Sequence, residues 1–158
     1  MTIQKPAFDA DKVREIVVAH RYMPGAMLPI LHALQEAYGY IDMLTEPIIA
    51  DVLNVTRAEV HGVVTFYHDF RRKPTGEHTL KLCRAEACQS AGGETLAARA
   101  ESELGVVSGE TTEDGRVTLE AIYCLGLCAV APAAMIDGRV VCRLDAKRLD
   151  DLLAETGQ

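Results

Sequence analysis

Positive charge is scarce in this sequence. Sixteen lysines and arginines stand against 23 acidic residues, a formal net charge of −7. Nucleic acid does not fit as the main partner, because phosphate contacts need Lys and Arg. An acidic face remains compatible with a basic protein partner, or simply with solubility. Long apolar runs are missing as well. No segment approaches the roughly 20 apolar residues that a membrane-spanning helix needs, so membrane insertion is not expected. The opening MTIQKPAFDADKVREIVVAH lacks the charged start, apolar run and small-residue cleavage site of a secretory signal. The expectation is a cytoplasmic protein. There is no GxGxxG, no Walker loop and no Ser-His-Asp pattern, so nothing points to NAD or substrate binding by this chain alone. Repeats and low-complexity segments are absent too.

What is present begins with enough apolar residues, 49% of 158, to bury a core in one ordinary domain or two small ones. The first seventy residues read as helical. DADKVREIVVAH places Val13, Ile16 and Val17 on one face. MLPILHALQEAYGY sets Leu28, Leu31 and Leu34 at helical spacing, with Pro29 near the start and Gly39 past the end. TEPIIADVLNV offers Thr45 as a cap and Ile48, Ile49, Val52 and Leu53 as an apolar stripe. TRAEVHGVVTFYHDF opens on a capping-box pattern, Thr56 with Glu59, and puts Val60, Val63, Val64 and Tyr67 on one side. Four short amphipathic helices predict a small bundle. At RRKPTGEH the texture changes, which marks a boundary between residues 1–74 and 75–158. HTLKLC then reads as a strand ending at Cys83, and GETLAARAESELG as a helix. EDGRVTLEAIYC reads as a turn and a strand, AAMIDGRVVCRL as a hairpin around Asp137–Gly138, and DAKRLDDLLAE as a helix capped by Asp145. The fold class is α+β, a helical bundle followed by an α/β domain.

The chain carries five cysteines, and a reducing compartment makes stable disulfides an unsuitable explanation for them. Four form two pairs, Cys83 and Cys88 in CRAEACQSAGG, then Cys124 and Cys128 in YCLGLC. Each pair begins where a predicted strand ends, so a rigid base feeds loops that are free to converge. Four thiolates suit a structural zinc or an iron–sulfur cluster. The spacings are C-x4-C and C-x3-C, without the C-x2-C knuckle common in zinc ribbons. A [2Fe–2S] cluster takes two thiolates on each iron, which suits two loose pairs. Its sulfurs need backbone N–H donors at close approach, which Gly92, Gly93 and Gly126 can allow. The spacing favours the cluster, with zinc, redox thiols and plain packing as alternatives. Cys142 reads as a small buried hydrophobe. His61 and His68 read as surface or helix-interface residues, and Phe66 and Tyr67 as core or subunit contact. Glu86, between the first two cysteines, is an acidic neighbour of the centre whose direction the sequence leaves open.

At these residues the sequence resembles a known family. LPILHALQEAYGYI, VHGVVTFYHDFRRKPTGEHTLKLC, GETTEDGRVTLEAIYCLGLCAVAPA and LDDLLAE together resemble the small [2Fe–2S] subunit of the NADH dehydrogenase family, from about Val13 to Glu155. The resemblance implies a helical bundle followed by a thioredoxin-like [2Fe–2S] ferredoxin domain. It implies Cys83 and Cys88 as ligands to one iron, and Cys124 and Cys128 as ligands to the other. It also implies a larger partner, a flavoprotein subunit that carries FMN and binds NAD(H). Relatives serve in respiratory complex I, NAD-linked hydrogenases and soluble NAD-dependent formate dehydrogenases. Complex I members usually have an acidic residue before CLG, where this chain has Tyr123. CRAEACQS and CLGLCAVAPA look most like the gamma subunit of the molybdenum-dependent formate dehydrogenase, which implies a further large molybdenum and iron–sulfur subunit. The absence of a mitochondrial presequence favours a bacterial source. The expected role is electron transfer without a complete active site on this chain. A structural role, bracing the flavin subunit, is the rival from another class.

Overall fold

The computed structural model describes residues 8–157, and the chain divides into two compact units, Met1–Pro74 and Thr75–Gln158. Residues 1–7 of the opening stretch read for a secretory signal lie outside the described part. Among the described residues no helix is long and apolar enough to cross a membrane.

Among the described residues the first unit has four helices, α1 (Ala10–His20), α2 (Met27–Tyr38), α3 (Glu46–Leu53) and α4 (Arg57–Phe66), with a 3₁₀ turn at Met43–Thr45. Each helix starts or stops for a local reason. The Asp9 carboxylate accepts the N–H groups of Asp11 and Lys12 at 3.0 and 3.2 Å and so satisfies donors that α1 leaves open. Gly39 ends α2 in the left-handed region, at φ 80°. Thr56 and Glu59 form a reciprocal capping box at the head of α4. Thr45 precedes α3 but makes no side-chain cap; its hydroxyl donates to the Asp42 carbonyl instead. The apolar stripes meet in one core that includes Val13, Val17, Leu31, Leu34, Ile49, Val60 and Val64. Phe66 is 72% exposed and takes no part in that core. Gln35 ties the segment after α4 back onto α2, donating to the Asp69 carbonyl at 2.7 Å and accepting the Arg71 N–H at 2.8 Å.

Among the described residues of this unit one charged side chain is buried. Glu46, 1% exposed, sits at the start of α3. Its carboxylate is met by Arg72 at 3.0 Å, His61 at 3.2 Å and Arg57 at 3.6 Å. A buried carboxylate is tolerable only with such partners.

The second unit is a four-stranded sheet in the order β2–β1–β3–β4, made of β1 (His78–Cys83), β2 (Val117–Ile122), β3 (Ala133–Ile136) and β4 (Arg139–Cys142). The pair β1 and β2 is parallel, with Cys83 opposite Ile122. A parallel pair needs a crossover, and α5 (Glu86–Ser90) and α6 (Gly93–Leu104) supply it. β3 runs antiparallel to both β1 and β4, and the tight turn at Asp137–Gly138 takes positive φ at both residues, 48° and 84°. α7 (Ala146–Glu155) closes the chain, with the Asp145 carboxylate accepting the Arg148 N–H. Leu80, Leu82, Leu119 and Ile136 from the sheet pack against Ala97, Ala100, Leu149 and Leu152 from the helices.

Candidate functional site

Strand alternation sets the site apart from that core. Leu80 and Leu82 share one face of β1, so Cys83 points to the other. There it joins Cys88 and Ala133 in a small separate cluster, walled by Ala85, Ile122, Leu125, Leu127 and Ala131. Because β1 and β2 are parallel, both end on the same side of the sheet. The chain after β1 gives Cys83 and then Cys88, which lies in α5. The chain after β2 gives Cys124, two residues beyond the strand end, and Cys128 at the start of a 3₁₀ turn. All five cysteines are free thiols.

The four paired thiols act on one another. Cys124 and Cys128 lie 3.8 Å apart, Sγ to Sγ. Burial pushes the Cys83 thiol up, but the Ala85 backbone, the Cys88 thiol and the Leu125 and Cys124 backbones more than offset it, so its pKa falls below the usual thiol value. Burial raises Cys88, and the side chain of Cys83 raises it further, while the Ala133 backbone opposes. Cys124 raises Cys128, and Cys83 also acts on it. The two pairs therefore share one electrostatic neighbourhood. Among the described residues no group of three or more His, Cys, Asp or Glu side chains gathers around a single ion position; the thiols stand as two pairs.

Glycine has two separate uses here. A Cβ on Gly93 would lie 2.6 Å from the Cys88 carbonyl oxygen, so only glycine lets α6 start against the backbone of the first pair. Gly126, at φ 75°, turns the second loop so that its N–H donates to Cys124 Sγ at 3.3 Å. Gly92, at φ 93°, precedes α6 but makes no close approach.

Several supports were not visible as motifs. Cys124 has φ 124°, a region that L residues rarely adopt and that persists only where the surroundings enforce it. Arg143 and Leu144 donate backbone N–H groups to the Val130 and Pro132 carbonyls, at 2.8 and 2.9 Å, and so hold the loop that follows Cys128. Arg148 on α7 fixes that segment by donating to the Cys142 carbonyl at 2.7 Å. Arg84, directly after Cys83, makes a two-point ion pair with Glu94. Sequence spacing alone pairs neither arginine with its acceptor. Cys142 is partly buried on β4, opposite Ala133 in the ladder. His61 lies half-exposed on Glu46, in the first unit.

Comparison with known proteins bears on this arrangement. The model of the thioredoxin-like [2Fe-2S] ferredoxin family matches residues 13–157, and the chain belongs to that family. An NADH-quinone oxidoreductase component from Rhizobium meliloti (strain 1021) is 38% identical over 128 residues, covering 81% of this chain and 76% of that protein. A component of the NADP-reducing hydrogenase of Solidesulfovibrio fructosivorans is 30% identical over 145 residues, covering 90% and 85%. Among solved structures, an NAD+-reducing [NiFe]-hydrogenase in the air-oxidized state matches with a TM-score of 0.73 at 27% identity over 87% of this chain. This chain spans 23% of that hydrogenase chain. The α+β architecture is that of the family, and the relatives are subunits of oxidoreductases. The donor set fits the family's cofactor: two thiol pairs are ringed by backbone N–H groups that can face sulfur.

Proposed function

We propose that Cys83 and Cys88, with Cys124 and Cys128, hold one [2Fe–2S] cluster, and that this chain is an electron-transfer subunit. The observation that carries this reading is the convergence of two thiol pairs from the ends of two parallel strands. The cluster supplies a site that takes up and gives back one electron at a time. The protein does the rest. β1 and α5 hold the first pair in a buried wall, which fixes those two thiols. The Gly126 turn and the Arg143–Val130 bond hold the second pair nearer solvent. Backbone N–H groups from Ala85, Leu125 and Ala133 stabilise negative charge on sulfur without adding a mobile countercharge.

The finer reading is the gamma subunit of a cytoplasmic, bacterial, NAD-dependent formate dehydrogenase, docked beside an FMN- and NAD(H)-binding flavoprotein subunit and a large molybdenum and iron–sulfur subunit. CRAEACQS, CLGLCAVAPA and Tyr123 support it. The second reading is the equivalent subunit of a respiratory NADH:quinone oxidoreductase or an NAD-linked hydrogenase, which the named relatives support. Native co-purification with partner identification separates them. Formate-dependent NAD reduction by the eluate, with a molybdenum-containing large subunit, is the expected result. Quinone-reducing partners without formate activity would overturn the formate assignment and leave the four cysteines in place. Iron and acid-labile sulfide in equal amounts support the cluster; zinc without sulfide would end that reading.

A further inference from the structure

The two cysteine pairs differ in how solvent reaches them. Cys83 and Cys88 are buried, at 5% and 2% exposure, one at the end of β1 and the other within α5. Cys124 and Cys128 are both exposed, and their sulfurs lie 3.8 Å apart. An S–S bond is roughly 2.05 Å long, so a sulfur movement of under about 2 Å joins them. The loop holds the sulfurs at that distance by its own backbone. Gly126 donates its N–H to Cys124 Sγ at 3.3 Å. The Val130 and Ala131 N–H groups turn back onto the Leu127 and Cys128 carbonyls at 3.0 and 3.4 Å. Residues 121–136 include no charged side chain, so an anionic thiol reagent meets no carboxylate of this segment. The first pair, in contrast, has Glu86 between its cysteines, exposed at the start of α5.

We propose that Cys124 and Cys128 form a reversible disulfide in the chain before its cluster is inserted, and that this bridge closes the site to iron. The closure rests on the four-cysteine reading; the bridge itself does not. The oxidant is a low-molecular-weight disulfide of the glutathione class. One cysteine thiolate attacks a sulfur of the reagent, which forms a mixed disulfide and releases one reagent thiolate. The other cysteine thiolate then attacks the protein sulfur of that mixed disulfide, which forms the Sγ–Sγ bond and releases the second reagent thiolate. Two electrons pass from the two cysteines to the reagent, and the two cysteine protons end on the two released thiols. The thiolate is the form that binds metal, so the bridge withdraws both donors of one iron at once, while Cys83 and Cys88 stay reduced. It also keeps the exposed sulfurs from oxidation past the reversible sulfenic stage. A reducing compartment makes such a bridge transient rather than structural, and a dithiol reductant reopens the site.

The test uses the full chain, freed of iron by a chelator under reductant and then exposed to glutathione disulfide. The chain should lose two of its five titratable thiols. After the remaining thiols are alkylated, trypsin separates the candidates. Cys124 and Cys128 share the fragment 117–139, whereas Cys83, Cys88 and Cys142 lie in the fragments 82–84, 85–99 and 140–143. The bridge should leave 117–139 unalkylated, lighter than its reduced form by two hydrogens, and joined to no other fragment. Cys128→Ser should stop at the mixed disulfide, with the reagent held on Cys124. Uptake of iron and sulfide by the bridged chain should fall about tenfold or more against the reduced chain, at least the loss that a broken supporting contact causes at a metal site, and should return with dithiothreitol. Another fragment joined to 117–139, an unchanged thiol count, or a lasting reagent adduct on the parent overturns the bridge. Full uptake by a bridged chain overturns the closure. A reduced parent that binds no iron and sulfide overturns the four-cysteine reading and the closure with it, and the bridge is then decided by the fragment masses alone.

Discussion

Each unit of this protein buries a reactive polar centre, and the two are answered in different ways. In the helical unit the Glu46 carboxylate is met by the side chains of Arg72, His61 and Arg57. In the sheet unit the Cys83 and Cys88 thiols are met by one another and by the backbone around Ala85, Leu125, Cys124 and Ala133. The Arg72 and Arg57 cations close the first centre, because charge is balanced within the chain. Backbone dipoles leave the second centre open to a group that brings charge of its own, since they stabilise without neutralising. The difference teaches which buried polar site is structural and which is suited to a cofactor.

The largest expected effect comes from the open centre. Cys83→Ser should lower bound iron and sulfide about tenfold or more, at least as far as the loss expected for a broken supporting contact at a metal site. Cys124→Ser, on the exposed loop, should lose less. Equal losses would mean that burial of the first pair contributes nothing to cluster retention. The closed centre should behave in the opposite sense. Glu46→Ala should cost about 3 kcal/mol in chemical denaturation, the lower end for a broken buried pair, because Arg57 and His61 reach solvent. Its iron content per folded chain should match the parent; a matching loss of iron would break the comparison.

Two glycines sharpen it further. Gly93→Ala should cost about 1–3 kcal/mol by overpacking against the Cys88 carbonyl and should weaken cluster retention. Gly126→Ala meets no atom within 4 Å and pays only for its left-handed backbone, about 1–2 kcal/mol. Unfolding curves and iron content measured together separate the two. The smallest effect lies in the Asp114–Arg116 turn that leads into β2. Thr112, the Arg116 N–H and the Arg116 guanidinium hold the Asp114 pKa at about 2, below its ordinary 3.8. Its contribution is therefore complete above about pH 3.8 and lost as pH falls through about 2. Asp114→Asn should lower the thermal midpoint slightly at pH 7, and the gap to the parent should narrow at about pH 2.5. A gap that widens in acid would contradict that sign.

Much of this was legible in the residues. The run HTLKLC ends as a strand at Cys83, and the Asp137–Gly138 turn and the Thr56–Glu59 box form where their chemistry demands. Those signals are local, so the sequence carries them whole. The short helix that presents Cys88 was not legible, because five residues give too little periodicity to stand out from a loop. Thr45 reads as a cap and is not one, since Asp42 offers its hydroxyl a nearer acceptor. Of the two readings of Phe66, core or subunit contact, the core one fails, because α4 turns Val60 and Val64 inward instead. Arg84 with Glu94, and Arg148 with the Cys142 carbonyl, are pairs that depend on where the sheet brings α6 and α7.

The parallel register of β1 and β2 also constrains how such a chain can vary in length. Cys83 faces its core-opposed side only because Leu80 and Leu82 fix the parity of β1, and Ile122 is level with it across the ladder. One residue inserted within either strand would turn every side chain beyond it to the wrong face. In the connection between α6 and β2, residues 109–112 bond back onto β2, with Thr111 bridged to Thr118, and share that parity; residues 105–108 carry none. Over generations, insertions and deletions should accumulate there and be purged from the strands, so that the distance between the two cysteine pairs drifts while the spacing inside each strand stays fixed.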